Sequence, residues 1–122
     1  MRAVQVTKGG PVMAKFVTIG YGDQEGYDRT DAAVRDQAHA HDTRLRAAGA
    51  EMGIAESPVQ VRNHDAAGMS VESGSFMSSA LPVAGFAIIE AATLEEAIQL
   101  VSGTPCAVAH GVVEVWPLRE TP

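Results

Sequence analysis

The chain is poor in cysteine: Cys106 is the only one among 122 residues. That excludes an intrachain disulfide and any metal site built from several thiolates. Long apolar runs are also missing. The longest, Leu81–Ile89, falls far short of the ~20 residues needed to cross a bilayer, so no membrane role is expected. Basic residues are scarce, with nine Lys and Arg against fifteen Asp and Glu and a formal charge of -6. Without a basic patch, nucleic acid is not an expected partner. An anionic substrate would need a local arginine or a helix N-terminus. Arg2 and Lys8 are not followed by an apolar h-region, so no signal peptide is expected and the expected location is the cytoplasm. Neither a G-x-x-x-x-G-K-[ST] loop nor a G-x-S-x-G elbow occurs, which removes two strong motifs for phosphate binding and serine nucleophiles.

What is present is enough for a core. Hydrophobic residues make up 46% of the chain, and the length fits one domain. Residues 1–14 contain the break Gly9-Gly10-Pro11 and are expected to form an N-terminal extension or an extra edge strand. Met13 is an alternative start. A single domain is expected over residues 15–118, with 119–122 as a tail. "KFVTIGY" (15–21) alternates as a strand, Phe16 and Thr18 facing one way and Val17, Ile19 and Tyr21 the other. A polar loop follows, then a helix over Ala32–Ala48 capped by Thr30 or Asp31. Its expected core stripe is Val34, Ala38, His41, Leu45 and Ala48. Strands are expected near Val59–Arg62, from Met69, and over Val83–Ala91. Thr93-Leu-Glu-Glu96 is a capping box opening a second helix, with Leu94, Ala97, Ile98 and Val101 on one side and Gly103 and Pro105 at its end. Val112–Trp116 closes the series.

The order β-α-β-β-α-β, with a hairpin in the middle, predicts an α+β, ferredoxin-like fold. Two helices cover one sheet face. The other face, with Phe86, Ile88 and Trp116 among its expected residues, needs a cover, and a second copy in a homodimer is the expected one. A small ligand would then sit between helices and sheet or between subunits.

Particular strings sharpen this. "KFVTIGYGDQEG", "LRAAGAEMG", "VESGSF…GFAIIEAATLEEAIQLV" and "GVVEVWPL", in this order and spacing, resemble the YCII-related family, in the branch named for an Asp-Gly-Pro-Phe motif. The resemblance covers Lys15 to Leu118 and implies a dimeric ferredoxin-like α/β-barrel. Most such proteins have no assigned activity. One relative is associated with a dehydrochlorinase-type lyase role, and others are encoded near, or fused to, alternative sigma factors. The motif is degenerate here: Ser73 stands in place of the Asp, Ser75 in place of the Pro, and Trp116 where an Arg commonly precedes the closing Pro. The helix histidine proposed to act in relatives falls at Ala38 in this chain.

The candidate residues keep their alternatives. His41, mid-stripe on the first helix, suits a general base; it equally suits a helix histidine bound to a carbonyl or a tyrosine. His39 is two residues away and faces elsewhere, with Asp36 and Asp42 each three positions from it. "HAHD" lacks the i,i+4 histidine pair of a helical metal site, so no metal is expected. Asp23 and Tyr21 close the first strand; Asp23 either accepts from a histidine or caps its own loop. His110 precedes the last strand and borders a cavity mouth or lies at an edge. Ser73, Ser75 and Gly74 offer a loose anion nest or form a serine-rich hairpin with Phe76 packed down. Cys106 reads as small buried filler. Trp116, Phe86, Ile88 and Met77 read as a dimer core or as the wall of an aromatic-ligand cavity. The functional expectation is a small homodimer of unassigned activity that binds a small molecule without a cofactor. The alternatives are a lyase or isomerase with a histidine proton shuttle, and a haem- or quinol-handling monooxygenase of dimeric ferredoxin-like type.

Overall fold

The computed structural model describes residues 13–119, and the expected extension over residues 1–12 lies outside them. The elements run β1 (Ala14–Tyr21), α1 (Gln24–Asp28), α2 (Ala32–Ala47), β2 (Glu51–Ile54), β3 (Val59–Arg62), β4 (Ser70–Ser73), β5 (Val83–Ala91), α3 (Leu94–Val101), α4 (Pro105–Val108) and β6 (Val112–Pro117). The class is α+β. Four strands form an antiparallel sheet in the order β2-β5-β1-β6, and β3 pairs with β4 in a separate two-stranded ribbon.

Register divides the sheet into two unlike faces, because residues opposite one another share a face. Phe16 lies opposite Ile89, and Thr18 opposite Ala87 and Val115. This face meets the helices. Phe16, Ile89 and Ala91 pack with Ala97 and Val101 of α3 into the buried core, with Ala87, Leu100, Val113 and Val115 around it. The opposite face carries Val17 beside Ile88 and Trp116, and Ile19 beside Phe86 and Glu114. Ile19 and Tyr21 are buried there, but Phe86, Ile88, Val112 and Trp116 are 45%, 40%, 54% and 55% exposed. Among the described residues no helix covers them.

The elements depart from the sequence reading at three places. The second strand of the main sheet is Glu51–Ile54, which pairs with β5. "EMGI" carries a charge and a glycine in four residues, so periodicity gives it little strand signal. Val59–Arg62 is a strand, but its partner is β4. Residues 71–79 are therefore not a tight turn between a strand and β5. They hold the end of β4, the left-handed Gly74 (φ 103°) and a long connection. Finally, the polar loop after β1 contains α1. Asp23 caps it by accepting from the Gly26 N–H (2.9 Å), and Thr30 Oγ1 donates to the Gly26 carbonyl (2.7 Å).

Helix faces are narrower than the sequence suggests. On α2 only Ala38 and Leu45 are buried; His41 is half-buried, and Val34 and Ala48 are exposed. The helix packs chiefly against α4 rather than flat on the sheet, so little of its stripe is covered. On α3, Ala97 and Val101 are buried while Leu94 and Ile98 stay largely in water. The α3 start matches its sequence signature: Thr93 Oγ1 accepts from the Glu96 N–H and Glu96 Oε1 accepts from the Ala92 N–H, both at 3.1 Å. Removing that hydroxyl leaves an N-terminal donor without its partner. Thr93→Ala is expected to lower unfolding stability by about 1 kcal/mol, measured by urea denaturation with an unchanged m-value.

Candidate functional site

A cleft with a volume of about 540 Å³ lies between α2 and the sheet. Its floor is apolar, formed by Leu45, Met52, Ala87, Ile89, Val101 and Val113. Two glycines deepen it. Gly20 of β1 and Gly85 of β5 lie directly opposite one another, so neighbouring strands present bare backbone at one point of the floor. Neither position has room for more. A Cβ on Gly20 would stand 2.8 Å from the Cys106 sulfur, and one on Gly85 would stand 2.6 Å from the Gly53 carbonyl oxygen. Glycine within a strand marks this kind of close approach.

The polar groups of the cleft come from α2 and from the α3–α4 connection. His39, Asp42 and Arg46 follow one another at i, i+3 and i+7, so they share a helix face, and all three line the cleft. Thr18, Thr104 and Cys106 face them across the cavity. Asp42 is half-buried, and that desolvation raises its carboxyl above the usual range; electrostatic attraction, first from Arg46, opposes the rise without cancelling it. Burial also pushes the Cys106 thiol up, and the Asp42 charge adds to the effect. The thiol is thus held in its neutral, less nucleophilic form. His39 is fixed from outside the cleft. Its Nε2 shares a 2.8 Å hydrogen bond with the Tyr27 hydroxyl, and the Arg35 guanidinium lies 4.8 Å over the Tyr27 ring. Helix α1 therefore serves to brace the cleft wall.

His41 occupies a different place. Its Nε2–H donates to the Leu100 carbonyl (2.5 Å), and its Nδ1 accepts from the Arg44 guanidinium (3.3 Å). Leu100 lies in the last turn of α3, where carbonyls have no partner within the helix. His41 satisfies one of them and ties α2 to α3 beside Gly103, whose α-carbon closely faces the ring. With both ring nitrogens engaged, it does not line the cleft.

The remaining candidates are spread over three regions. Asp23 caps α1. His110 sits exposed in a left-handed conformation (φ 64°) before β6. Tyr21 and Trp116 lie on the bare sheet face, where the Tyr21 hydroxyl and the Trp116 indole N–H both donate to Glu114 Oε1 at 3.0 Å. Burial and the Glu114 carboxylate together raise the Tyr21 phenol above its ordinary value. Ser73, Ser75 and Phe76 belong to the ribbon. The Gly74 N–H there is taken by the Pro58 carbonyl (3.1 Å), and Ser75 Oγ donates to the Met77 carbonyl (3.1 Å). Phe76 does not pack down: it is 82% exposed. The ring stands beside Arg62, at 5.9 Å from the guanidinium.

Sequence reasoning passed over Arg46, Thr18, Thr104 and the role of Cys106 as cleft wall. The usable signal was the pair of strand glycines, Gly20 and Gly85, which marks where a side-chain-free floor forms. Among the described residues no cluster of His, Cys, Asp and Glu is arranged to hold a metal ion, and no helix is long and apolar enough to cross a membrane.

Helices on one face of a four-stranded antiparallel sheet, with a cleft between them and a separate two-stranded ribbon, define a small α+β protein. The model of the YCII-related domain matches residues 14–122, and the chain belongs to that family. No curated protein matches the chain.

The raised carboxyl of Asp42 makes a pH prediction. Because its proton is held more tightly in the folded chain than in the unfolded one, the stabilisation is complete below the ordinary value of 3.8. It is lost as pH rises through the raised folded value. Asp42→Asn is therefore expected to melt higher than the parent at pH 7. The difference should shrink towards zero as pH falls below 3.8, measured by thermal denaturation across that range.

Proposed function

We propose that this chain is a small-molecule-binding domain of ferredoxin-like topology that works as a homodimer, with the ligand held in the cleft between α2 and the sheet. The observation that carries the reading is the cleft itself. A volume of about 540 Å³ falls in the range of small-ligand sites, roughly 300–1,000 Å³. Its composition follows the same rule, an apolar floor with a few convergent polar groups. The sheet order β2-β5-β1-β6, with the β3–β4 ribbon set aside, supports the ferredoxin-like description. The open apolar face of Phe86, Ile88 and Trp116 supports self-association.

The cleft favours one class of ligand. Its floor suits a compact apolar body, and its rim suits a single polar head. Arg46 and His39 stand at the rim beside the half-buried Asp42 carboxyl. A carbonyl or carboxylate oxygen on the ligand is matched by the Arg46 guanidinium.

A second reading, the lyase or isomerase, draws support from a different histidine than the sequence favoured. His39 and Asp42 line the same cleft, whereas His41 is held by Leu100 and Arg44. If proton transfer occurs here, His39 is the group within reach of the ligand.

The test is a fragment screen by ¹H–¹⁵N NMR on the full chain. Fragments with an apolar body and a carboxyl or carbonyl head are expected to shift the amides of Gly20, Asp42 and Gly85. Ala87→Phe, which fills the floor, is expected to weaken them about tenfold or more. Hits that shift only the amides of Ile88 and Trp116, or that survive Ala87→Phe unchanged, would contradict the reading.

A further inference from the structure

The β3–β4 ribbon is built as an amphipathic sheet fragment, yet its apolar side faces water. Val61 lies opposite Val71, and Val59 opposite Ser73, on one face; Gln60 lies opposite Glu72, and Arg62 opposite Ser70, on the other. The polar face is finished. Arg62 pairs with Glu72 (3.3 Å) and donates to Gln60 Oε1 (2.8 Å). The apolar face is not: Val59, Val61 and Val71 are 60%, 62% and 57% exposed. Alternation of this kind belongs to strands with one face buried. A two-stranded hairpin is marginally stable at best in water without such cover.

The ribbon is also an insertion. The Ala55 N–H donates to the Ala84 carbonyl (2.8 Å), and Ile54 lies opposite Gly85, so β2 and β5 already meet where a two-residue turn would join them. Residues 56–82 leave the sheet at that point and return to it. None of the buried core residues lies in this stretch.

The insertion runs on from the bare sheet face. Met77, at its return, has its sulfur 3.7 Å from the Tyr21 hydroxyl on that face. A groove bordered by Pro58, Ser75, Met77 and Phe86 connects the ribbon base with the sheet. Taken together, the exposed apolar side chains of ribbon and sheet face present on the order of 1,000 Å² per chain. A standard protein interface takes about 800 Å² from each partner.

We infer that residues 56–82 form a clasp: the Val59, Val61 and Val71 face of the ribbon in one copy lies against the apolar sheet face of a second copy of this chain. The inference rests on the dimer proposed above and adds to it the element that closes the interface. A second copy is the occupant because the surface the ribbon needs, apolar and flat, is the one its own sheet leaves uncovered. Sheet face and ribbon are contiguous, so two-fold pairing covers both at once.

The experiment compares the full chain with the double variant Val61→Lys/Val71→Glu by sedimentation equilibrium. The new side chains face each other across the ribbon, so a cross-strand ion pair maintains it while its apolar face is lost. The expected result is a full-chain dimer and a variant that associates about tenfold more weakly or less, with unchanged far-UV circular dichroism. A dimer of unchanged affinity in the variant overturns this inference alone. A monomeric full chain overturns it and the dimer reading with it. A photo-crosslinker at position 61 in a mixture of ¹⁴N and ¹⁵N chains gives a second readout. Mixed-isotope links to β5 or β6 are expected, and links formed only within one chain overturn the inference.

Discussion

An antiparallel sheet has two faces to keep from water, and the helices of this chain stand on one. Phe16, Ile89 and Ala91 turn to α3 and are buried with Ala97 and Val101. Val17, Ile88 and Trp116 turn the other way. Because side chains alternate strictly along a strand, no adjustment of register can bury both sets under the same helices. The exposed row of Phe86, Ile88 and Trp116 follows from that geometry. So does the unusual setting of Glu114, a carboxylate among aromatics that accepts from both Tyr21 and Trp116.

The helix side is shaped by a second inequality. Helix α3 lies close to the sheet because Ala97 and Val101 are small enough to let it approach. Helix α2 is held near its middle by His41 on the Leu100 carbonyl and braced by Tyr27 of α1 through His39. It leans on α4 rather than on the strands. The gap that remains becomes the cleft, and Gly20 and Gly85 enlarge it by placing no side chain beneath. Desolvation in this gap raises both the Asp42 carboxyl and the Cys106 thiol.

Much of the sheet was legible in the sequence. β1, β5, β6 and α3 carry clear alternation or capping signals, and the strings around them identify the YCII-related family, whose model matches residues 14–122. β2 was not legible, because "EMGI" becomes a strand by pairing with β5 rather than by its own propensity. The ribbon was legible as two short strands but not as a separate sheet, since pairing partners are not written in either strand alone. The cleft was the least legible part. Spacing places His39, Asp42 and Arg46 on one face of α2. Whether that face meets cavity or solvent depends on how α2 is seated, and its seat is set by His41, Leu100 and α4. A histidine in a predicted core stripe drew the chemical reading to His41, where the structure shows a tie between helices.

In the proposed dimer, another copy of the chain completes the apolar sheet face. Sedimentation equilibrium of the full chain beside Ile88→Lys, at the centre of that face, is the decisive measurement. A dimer at micromolar concentration is expected for the full chain and a folded monomer for Ile88→Lys. A monomeric full chain, or an Ile88→Lys dimer of undiminished affinity, would contradict it.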